Sequence, residues 1–298
     1  MRIFFDNVDF SSSSGPNSFG VKLASALVSM GHQITHESPD AQLSFIQANV
    51  KLAPTVLRLD GIYFNNEQDW KAMNDPIKSS YDRADAVVVQ SDFNRRLITK
   101  YFGEHSSIHI IRNGTALDVI DHVTPATVRG LNRDQVWLCA SSWRPHKRLV
   151  ENIRYFHENA PNDAVLLVAG NNIPDDIGDP RISALGNLSW QQLISVMKAS
   201  SHFLHLAWLD HCPNVVVDAR AAGCHIVCSS SGGTEEIAGL NSTVIEESPW
   251  DFKPVKLYKP PPLDFNMTRS SSQDQQDIDI LKVAQRYMDV LNIILARN

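Results

Sequence analysis

Short apolar runs alternate with amphipathic stretches along most of this chain. The runs at residues 55–59, 86–89, 136–140 and 165–169 are rich in valine and leucine and are typical of buried strands. Further strands of the same kind are predicted at residues 3–5, 43–46, 108–111, 202–206 and 225–229. Because parallel neighbours need a crossover connection that is usually helical, this alternation predicts an α/β protein with mostly parallel sheets.

Helices are predicted between these runs from apolar residues at helical spacing and from capping residues. The first stripe begins at Phe19 and stops before Gly31, a glycine at the position where helices often end. Ser91 and Ser189 are expected to cap two later helices, and residues 213–222 form another. A final stripe predicts a C-terminal helix and consists of Ile280, Val283, Tyr287, Leu291 and Ile294.

The order of these elements predicts two domains, for which 298 residues are sufficient. Residues 118–134 are polar with little periodicity, and we interpret them as the linker. The series of strands and helices then starts again, so the second half is expected to repeat the architecture of the first. Residues 249–262 contain several prolines and are expected to form an extended loop, and residues 270–277 a polar, flexible segment.

Composition narrows the class of protein. Hydrophobic residues make up 43% and charged residues 20% of the chain, as in ordinary globular proteins. The net charge of -6 provides no overall attraction to nucleic acid. The start of the chain does not read as a signal peptide and no apolar run is long enough to span a bilayer, so a cytoplasmic location is expected. Peripheral contact with a membrane stays open.

The cysteines do not predict a metal site. Three of the four lie between Cys212 and Cys228, but their spacing fits no zinc pattern. They are expected to be reduced, buried thiols.

Three groups of polar residues follow predicted strands, at the edge where open α/β sheets bind ligands. The first group contains Arg144, Lys147 and Arg148 at the start of a predicted helix. Since a helix N-terminus ordinarily favours acidic side chains, cations there suggest a bound anion such as a diphosphate. A solvated basic turn explains the group equally well.

The second group contains Asp210, in the loop after residues 202–206, and Asp218, two turns into the next helix among apolar neighbours. A buried carboxylate needs hydrogen-bond donors, which sugar hydroxyls can supply. Taken alone, the segment is better explained by Asp210 or Asn214 capping the helix and by Asp218 pairing with Arg220 or another neighbour.

The third group is the pair Gly232 and Gly233, with acidic residues at the helix start that follows. Paired glycines after a strand let backbone N–H groups approach a ligand closely, although a simple turn has the same composition. His205 ends the strand before Asp210 and is either a site residue or a satisfied core histidine.

Taken in order, these groups resemble the motifs of retaining glycosyltransferases of the GT-B fold, family 4. Two acids separated by seven residues, Asp210 and Asp218, are followed by the small residues of 219–223 and by the glycine pair. The stretch at 84–97, the strand that ends in Asn113-Gly114, and the loop at 14–20 match further motifs, so the resemblance covers residues 2–238.

The resemblance implies two Rossmann-like domains that face a central cleft, with a C-terminal helix that crosses back to the first domain. The first domain would comprise residues 1–120 and 278–298 and bind the acceptor, and the second, residues 121–277, would bind the donor. The acceptor would be a glycan, a lipid or a small molecule.

The resemblance also implies the site residues. Arg144 and Lys147 would hold the donor diphosphate and stabilise the charge of the leaving group, Asp210 would lie near the donor sugar, and Asp218 would bind the ribose. Donor contacts would also come from residues with small or amide side chains, namely Gly15, Asn113, Gly114, Gly232 and Gly233. The donor would be a UDP- or GDP-linked sugar, with no metal and no other cofactor.

Two departures from the family pattern leave other functions open. Aspartates stand where the family has glutamates, and the chain is short for this fold. A non-catalytic relative that binds a nucleotide or sugar as a partner subunit, or another GT-B enzyme such as a sugar-nucleotide epimerase, are the alternatives. In the first domain, Asp60 is the best candidate for acceptor contact, or else a turn residue.

Overall fold

The chain forms two compact units in a computed structural model, which describes residues 1–12, 14–174, 177–273 and 277–297. The first unit consists of Met1–Ala116, Asp251–Val255 and Asp277–Asn298. The second unit consists of Leu117–Trp250 and Lys256–Gln276.

A parallel sheet forms the centre of the first unit. Its strands lie in the order β2-β1-β3-β4-β5-β6, and every neighbouring pair is parallel. The elements are β1 (Arg2–Asp6), α1 (Gly15–Ser29), β2 (Gln33–Ile34), β3 (Ala41–Phe45), β4 (Thr55–Leu59), α2 (Trp70–Arg83), β5 (Ala86–Val89), α3 (Asp92–Phe102) and β6 (Ile108–Ile110).

The second unit repeats this architecture. Its elements are α4 (Leu117–His122), β7 (Val136–Ala140), α5 (Leu149–Asn159), β8 (Val165–Ala169), β9 (Ile182–Gly186), α6 (Trp190–Lys198), β10 (His202–His205), α7 (Asn214–Ala221), β11 (His225–Ser229), α8 (Glu235–Ala238), β12 (Thr243–Ile245) and β13 (Thr268–Ser270).

The strand order of the second sheet has one functional consequence. The strands lie in the order β13-β12-β11-β10-β7-β8-β9, parallel apart from the antiparallel pair β12 and β13. The chain therefore winds outward in one direction from β7 and then in the other from β10. Ligands of doubly wound folds bind at such a reversal, outside the carboxyl ends of the two strands.

The last helix, α9 (Ile280–Leu295), belongs to the first unit and confirms the predicted return of the chain. Its predicted apolar stripe is buried in the same core cluster as residues of α1 and of the first sheet. Gly114 permits this packing, since a Cβ there would lie 2.8 Å from a methyl carbon of Val283. Thr115 N–H donates to Ile278 O at 2.7 Å and Ile280 N–H donates to Thr115 O at 2.9 Å, which fixes the start of the helix.

Local capping signals identify helix ends correctly. Ser91 Oγ accepts from Asn94 N–H at 3.0 Å, and Ser189 Oγ accepts from Gln192 N–H at 3.3 Å as part of a capping box. Gly31, with a φ of +86°, follows the end of α1 as predicted.

Other elements differ from the sequence-based expectation. The predicted linker at 118–134 contains most of α4, and all of it belongs to the second unit. Helix α2 was not predicted, since Pro76 lies inside it; it is held by tertiary packing, with the Tyr81 hydroxyl donating to Gly103 O at 2.8 Å. Strand β13 ends at Ser270, so the segment predicted as flexible begins in a sheet; part of it lies outside the described residues.

All four cysteines are free and buried, and burial raises the pKa of the Cys224 thiol to about 12. Among the helices in the described part of the chain, none combines the length and the apolar character needed to cross a membrane.

Candidate functional site

Three loops of the second unit meet where its strand order reverses. They follow β7, β10 and β11, which are neighbours in the sheet. Trp208 N–H donates to His146 O at 2.7 Å and joins the first loop to the second. Gly233 N–H donates to Asp210 O at 2.7 Å and joins the second to the third. Backbone hydrogen bonds thus fix the three polar groups found in the sequence against one another.

The side chains of Lys147, His205 and Asp210 form the centre of this site. Lys147 Nζ lies 2.5 Å from Asp210 Oδ2, and His205 Nε2 lies 2.9 Å from the same oxygen. The Lys147 and Asp210 side chains are 19% and 13% exposed, so a ligand can reach both of them. The other carboxylate oxygen, Asp210 Oδ1, accepts from His211 N–H at 3.0 Å.

Electrostatics define the protonation state of this centre. Burial alone would raise the pKa of Asp210, but the Lys147 ammonium and the His205 hydrogen bond hold that pKa well below its usual value. Burial lowers the pKa of His205, and the Asp210 carboxylate offsets this only in part. At neutral pH the Asp210 carboxyl is therefore ionised and the His205 ring is neutral. Because an ionised carboxylate can only accept, the His205 proton lies on Nε2.

Two further histidines border the centre in uncharged form. Burial, reinforced by the Lys147 ammonium, lowers the pKa of His146 to about 3. Burial also lowers the pKa of His211 to about 4, against the opposing effect of Asp210. The positive charge of the site therefore comes from Lys147 and from the exposed Arg144.

Arg148, the third cation of the basic group, does not belong to the anion site. Its guanidinium is buried and donates to both oxygens of Glu247, at 2.9 and 2.7 Å, and to Pro261 O at 2.8 Å. Arg148 also has a φ of +53°, in the left-handed region, where it follows the 3-10 turn of Pro145–Lys147. These bonds hold the turn, and with it Lys147, in place. The sequence provides no signal for Glu247, which lies ninety-nine residues away.

Steric contact between the second and third loops explains why residue 232 is a glycine. Gly232 has a φ of +84°, and a Cβ there would lie well inside van der Waals contact of the Asp210 carbonyl oxygen. Only glycine allows the third loop to approach the second this closely.

Two buried polar side-chain atoms lie beside these loops. Within the described part of the chain, His146 Nδ1 and Thr234 Oγ1 are buried and have no hydrogen-bond partner. A buried polar atom left in this state costs on the order of 1–3 kcal/mol, so native proteins usually satisfy it, with water or a ligand where the chain does not.

Asp218, the second acid, is buried within α7 and is held by an aromatic side chain. Trp190 Nε1–H donates to Asp218 Oδ2 at 2.9 Å from the start of α6. Of the two simpler explanations of the segment, the pairing of Asp218 with a neighbouring side chain is confirmed by the Trp190 bond. The capping explanation is wrong for Asp210, which bonds to Lys147 and His205 and does not cap α7. No pattern in the sequence indicates the Trp190 contact.

The comparison with known proteins shows the fold of the chain and nothing beyond it. No protein-family model matches the chain, and no curated protein matches it in sequence. Solved structures do match. All of the chain superposes on all of a sucrose-phosphate synthase from Thermosynechococcus elongatus, with a TM-score of 0.72 and 13% identity.

Two further solved structures agree with that match. The Anabaena protein HepE in complex with UDP-glucose matches 98% of the chain over 100% of its own length, with a TM-score of 0.67 and 14% identity. WaaG, a glycosyltransferase involved in lipopolysaccharide biosynthesis, matches 99% of the chain over 93% of its own length, with a TM-score of 0.59 and 10% identity. The chain has the GT-B fold. These structural neighbours are GT-B glycosyltransferases.

The first unit of this GT-B chain contains the other residues named from the sequence. Asn113 is buried, and its Oδ1 accepts from Arg58 Nη2 at 2.9 Å. Gly114 packs against α9, as described above, and Gly15 is the exposed first residue of α1. The structure thus places Gly15, Asn113 and Gly114 in the same unit as Asp60, whereas Lys147, Asp210 and the other residues named for donor binding lie in the second unit.

Asp60 is neither a simple turn residue nor an isolated polar group. It pairs with the fully buried Arg58, whose guanidinium lies 4.2 Å from the ring centre of Phe19 and whose Nε donates to the Tyr287 hydroxyl at 3.1 Å. Burial alone would lower the pKa of Arg58, but Asp60 and Tyr287 raise it above its usual value. The one signal in the sequence was an arginine within an otherwise apolar strand. The Asp60 side chain remains 17% exposed, at the carboxyl end of β4.

Proposed function

We propose that this protein is a glycosyltransferase that moves a hexosyl group from a nucleotide-diphosphate sugar to an acceptor. The observation that carries the proposal is the Lys147–Asp210 centre at the strand reversal of the second sheet. A cation and a carboxylate in contact at that edge fit a ligand that has both a charged diphosphate and a sugar. The solved neighbours support the assignment, since HepE is in complex with UDP-glucose and WaaG is described as a glycosyltransferase.

The donor diphosphate is assigned to Lys147 and Arg144. The Lys147 ammonium has three donor positions, and Asp210 uses one of them. The other two can bind phosphate oxygens at once, and the third becomes available as the ammonium turns towards the diphosphate. Arg144 is exposed immediately before the 3-10 turn and can add a bidentate contact. Both cations stabilise the negative charge that develops on the diphosphate as the bond to the sugar breaks. Preorganised charges of this kind are usually the largest single contribution to catalysis.

The sugar and the nucleoside are assigned to the remaining groups. Asp210 lies beside the diphosphate position, where an ionised carboxylate can stabilise positive charge on the reacting sugar carbon. Asp218 is assigned to the ribose, with Trp190 holding its carboxylate. Retention of configuration and independence of metal are part of the proposal through the family resemblance.

The acceptor is assigned to the first unit as a class only: a glycan, a lipid-linked sugar or a small molecule. Asp60 supplies a partly exposed carboxylate at the carboxyl end of β4, whose position Arg58 fixes. Such a group can accept a hydrogen bond from an acceptor hydroxyl. A lipid acceptor would bring the protein into peripheral contact with a membrane.

The proposal is tested with a panel of UDP-, GDP- and ADP-linked sugars, by measuring nucleotide diphosphate release with and without acceptors. Release with one donor, undiminished by a chelator, is the expected result, and the anomeric configuration of the product tests retention. Calorimetry with the matching nucleotide diphosphate and monophosphate provides the control. Tight diphosphate binding without turnover on any donor would instead support the non-catalytic alternative. No diphosphate binding at all would refute the site assignment.

A further inference from the structure

We propose that His205 is a positioning residue for Asp210, holding the carboxylate in place when Lys147 turns to the donor diphosphate. The inference rests on the function proposed above and adds a residue to that site. His205 is 4% exposed and its ring nitrogen lies within hydrogen-bond distance of the carboxylate, so it acts through Asp210 and not on the substrate.

The geometry of the carboxylate provides the first argument. Asp210 Oδ2 is shared between Lys147 Nζ at 2.5 Å and His205 Nε2 at 2.9 Å, while Oδ1 bonds to the backbone N–H of His211 at 3.0 Å. The N–H bond from its own loop restrains only one of the two carboxylate oxygens. The His205 bond restrains the other.

The two partners of Oδ2 differ in how firmly they are held. Lys147 ends in a flexible chain of four methylenes, and its ammonium is strongly attracted to phosphate. His205 is the last residue of β10, a strand paired on both sides with β7 and β11, and its ring is buried. When a diphosphate binds and draws the ammonium away from Oδ2, the His205 bond remains.

The charge state of His205 suits this role. A neutral donor holds an anion without competing with Lys147 for the same charge, whereas a charged imidazolium would repel the ammonium. Other ionisable groups near Asp210 are Arg144, Lys147 and His146 on the loop after β7 and His211 on its own loop. Burial lowers the pKa of both His146 and His211, and Lys147 and His205 are the partners that hold the pKa of Asp210 low.

Substitutions that separate the hydrogen bond from the volume of the ring provide the test. In His205→Gln an amide N–H can occupy roughly the place of Nε2–H, whereas His205→Leu fills a similar volume with no donor. His202→Leu is the matched control, because His202 lies at the other end of the same strand and stacks on Trp137.

The readouts are steady-state kinetics and the ¹³C NMR titration of the Asp210 carboxyl carbon, assigned by its loss in Asp210→Asn. We expect His205→Leu to lower kcat by about tenfold or more, since about 1 Å of misplacement can cost on the order of a hundredfold. The donor KM stays within about threefold, since the diphosphate contacts remain. The proton affinity of Asp210 rises about tenfold in the same variant, because a hydrogen bond to the charged form is lost. His205→Gln restores both quantities, and His202→Leu changes neither.

The possible outcomes separate this inference from the proposed function. An unchanged proton affinity of Asp210 in His205→Leu overturns the positioning role, as does an equal loss of kcat in the Gln and Leu variants. If the wild-type protein transfers sugar from no donor, the proposed function fails. The NMR titration still decides whether His205 holds Asp210, because it needs no substrate.

Discussion

The contact between Lys147 and Asp210 should contribute to stability as well as to function. Its two side chains are 19% and 13% exposed, which places the pair between a surface ion pair and a buried one. Exposed pairs contribute about 0–1 kcal/mol, and breaking a buried pair costs about 3–5 kcal/mol because a charge is left without its partner. Replacing Lys147 with methionine keeps the length of the side chain and removes the charge. We therefore expect Lys147→Met to lower the free energy of unfolding by about 2–3 kcal/mol.

The cost arises from the aspartate that remains, and a second substitution tests this directly. Asp210→Asn removes the charge but keeps an oxygen that can accept the His205 N–H. In the Lys147→Met background it should restore most of the lost stability, with a coupling of at least about 1.5 kcal/mol. Neither Lys147→Met nor the double variant should transfer sugar, since both lack the Lys147 ammonium.

The assay is urea denaturation of the wild type, the two single variants and the double variant, with thermal melting in parallel. A loss of 2–3 kcal/mol corresponds to a fall in Tm of about 5–10 °C for a domain of this size. The reasoning is refuted if Lys147→Met is as stable as the wild type and the two substitutions are additive. That result would mean that water already screens the pair and that Lys147 is not held by Asp210.

Three further predictions concern the loops and the histidines. Gly232→Ala should lower the free energy of unfolding by about 2–3 kcal/mol and weaken nucleotide diphosphate binding at least tenfold. Gly186→Ala is the control, since Gly186 has a similar positive φ but open space around it, and it should cost only about 1–2 kcal/mol of backbone strain. Equal effects of the two substitutions in calorimetry and denaturation would contradict the close approach of Gly232 to the Asp210 carbonyl oxygen. Glu247→Gln should cost about 2–4 kcal/mol and lower kcat, whereas Glu246→Gln, in an exposed pair, should cost under about 1 kcal/mol. The free energy of unfolding should fall as the pH is lowered from 6.5 towards 4, because His146 and His211 have folded-state pKa values of about 3 and 4 and the unfolded state therefore binds more protons in that window. Urea titration should show a loss of about 1–2 kcal/mol per histidine between pH 6.5 and 5, and a flat profile would show that these rings are solvated.

Much of the fold could be predicted from the sequence, because buried parallel strands are uninterrupted apolar runs and can be recognised locally. The strands at Thr55–Leu59 and Val165–Ala169 have the predicted bounds. Helix α2 is not predicted from the sequence. Its stability comes from tertiary contacts, which outweigh the destabilising effect of Pro76 inside the helix. Strand β13 pairs antiparallel at the edge of the sheet and has no apolar run to mark it.

The order of the site motifs could also be predicted, but not the contacts that hold them. Loops after neighbouring parallel strands must meet at one edge, so Lys147, Asp210 and Gly232 could be grouped from their positions after strands. The bonds of Arg148 to Glu247 and of Asp218 to Trp190 join distant parts of the chain, and single-residue patterns contain no information about such pairs. The roles assigned to Gly15 and Asn113 in donor binding stay predictions.

The structure changes the significance of aspartate at position 210. Judged from the family pattern alone, the loss of one methylene, about 1.3 Å of reach, would move the carboxylate away from the donor. In this chain the shorter side chain places Asp210 Oδ2 at 2.5 Å from Lys147 Nζ and 2.9 Å from His205 Nε2. The Asp210 backbone is also held, because its carbonyl oxygen accepts from Gly233 N–H. A glutamate in the same position would have to displace one of these partners or fold back on itself. The substitution is therefore part of a consistent arrangement in which lysine, histidine and aspartate are matched in length, and it does not by itself indicate a site that has lost its activity.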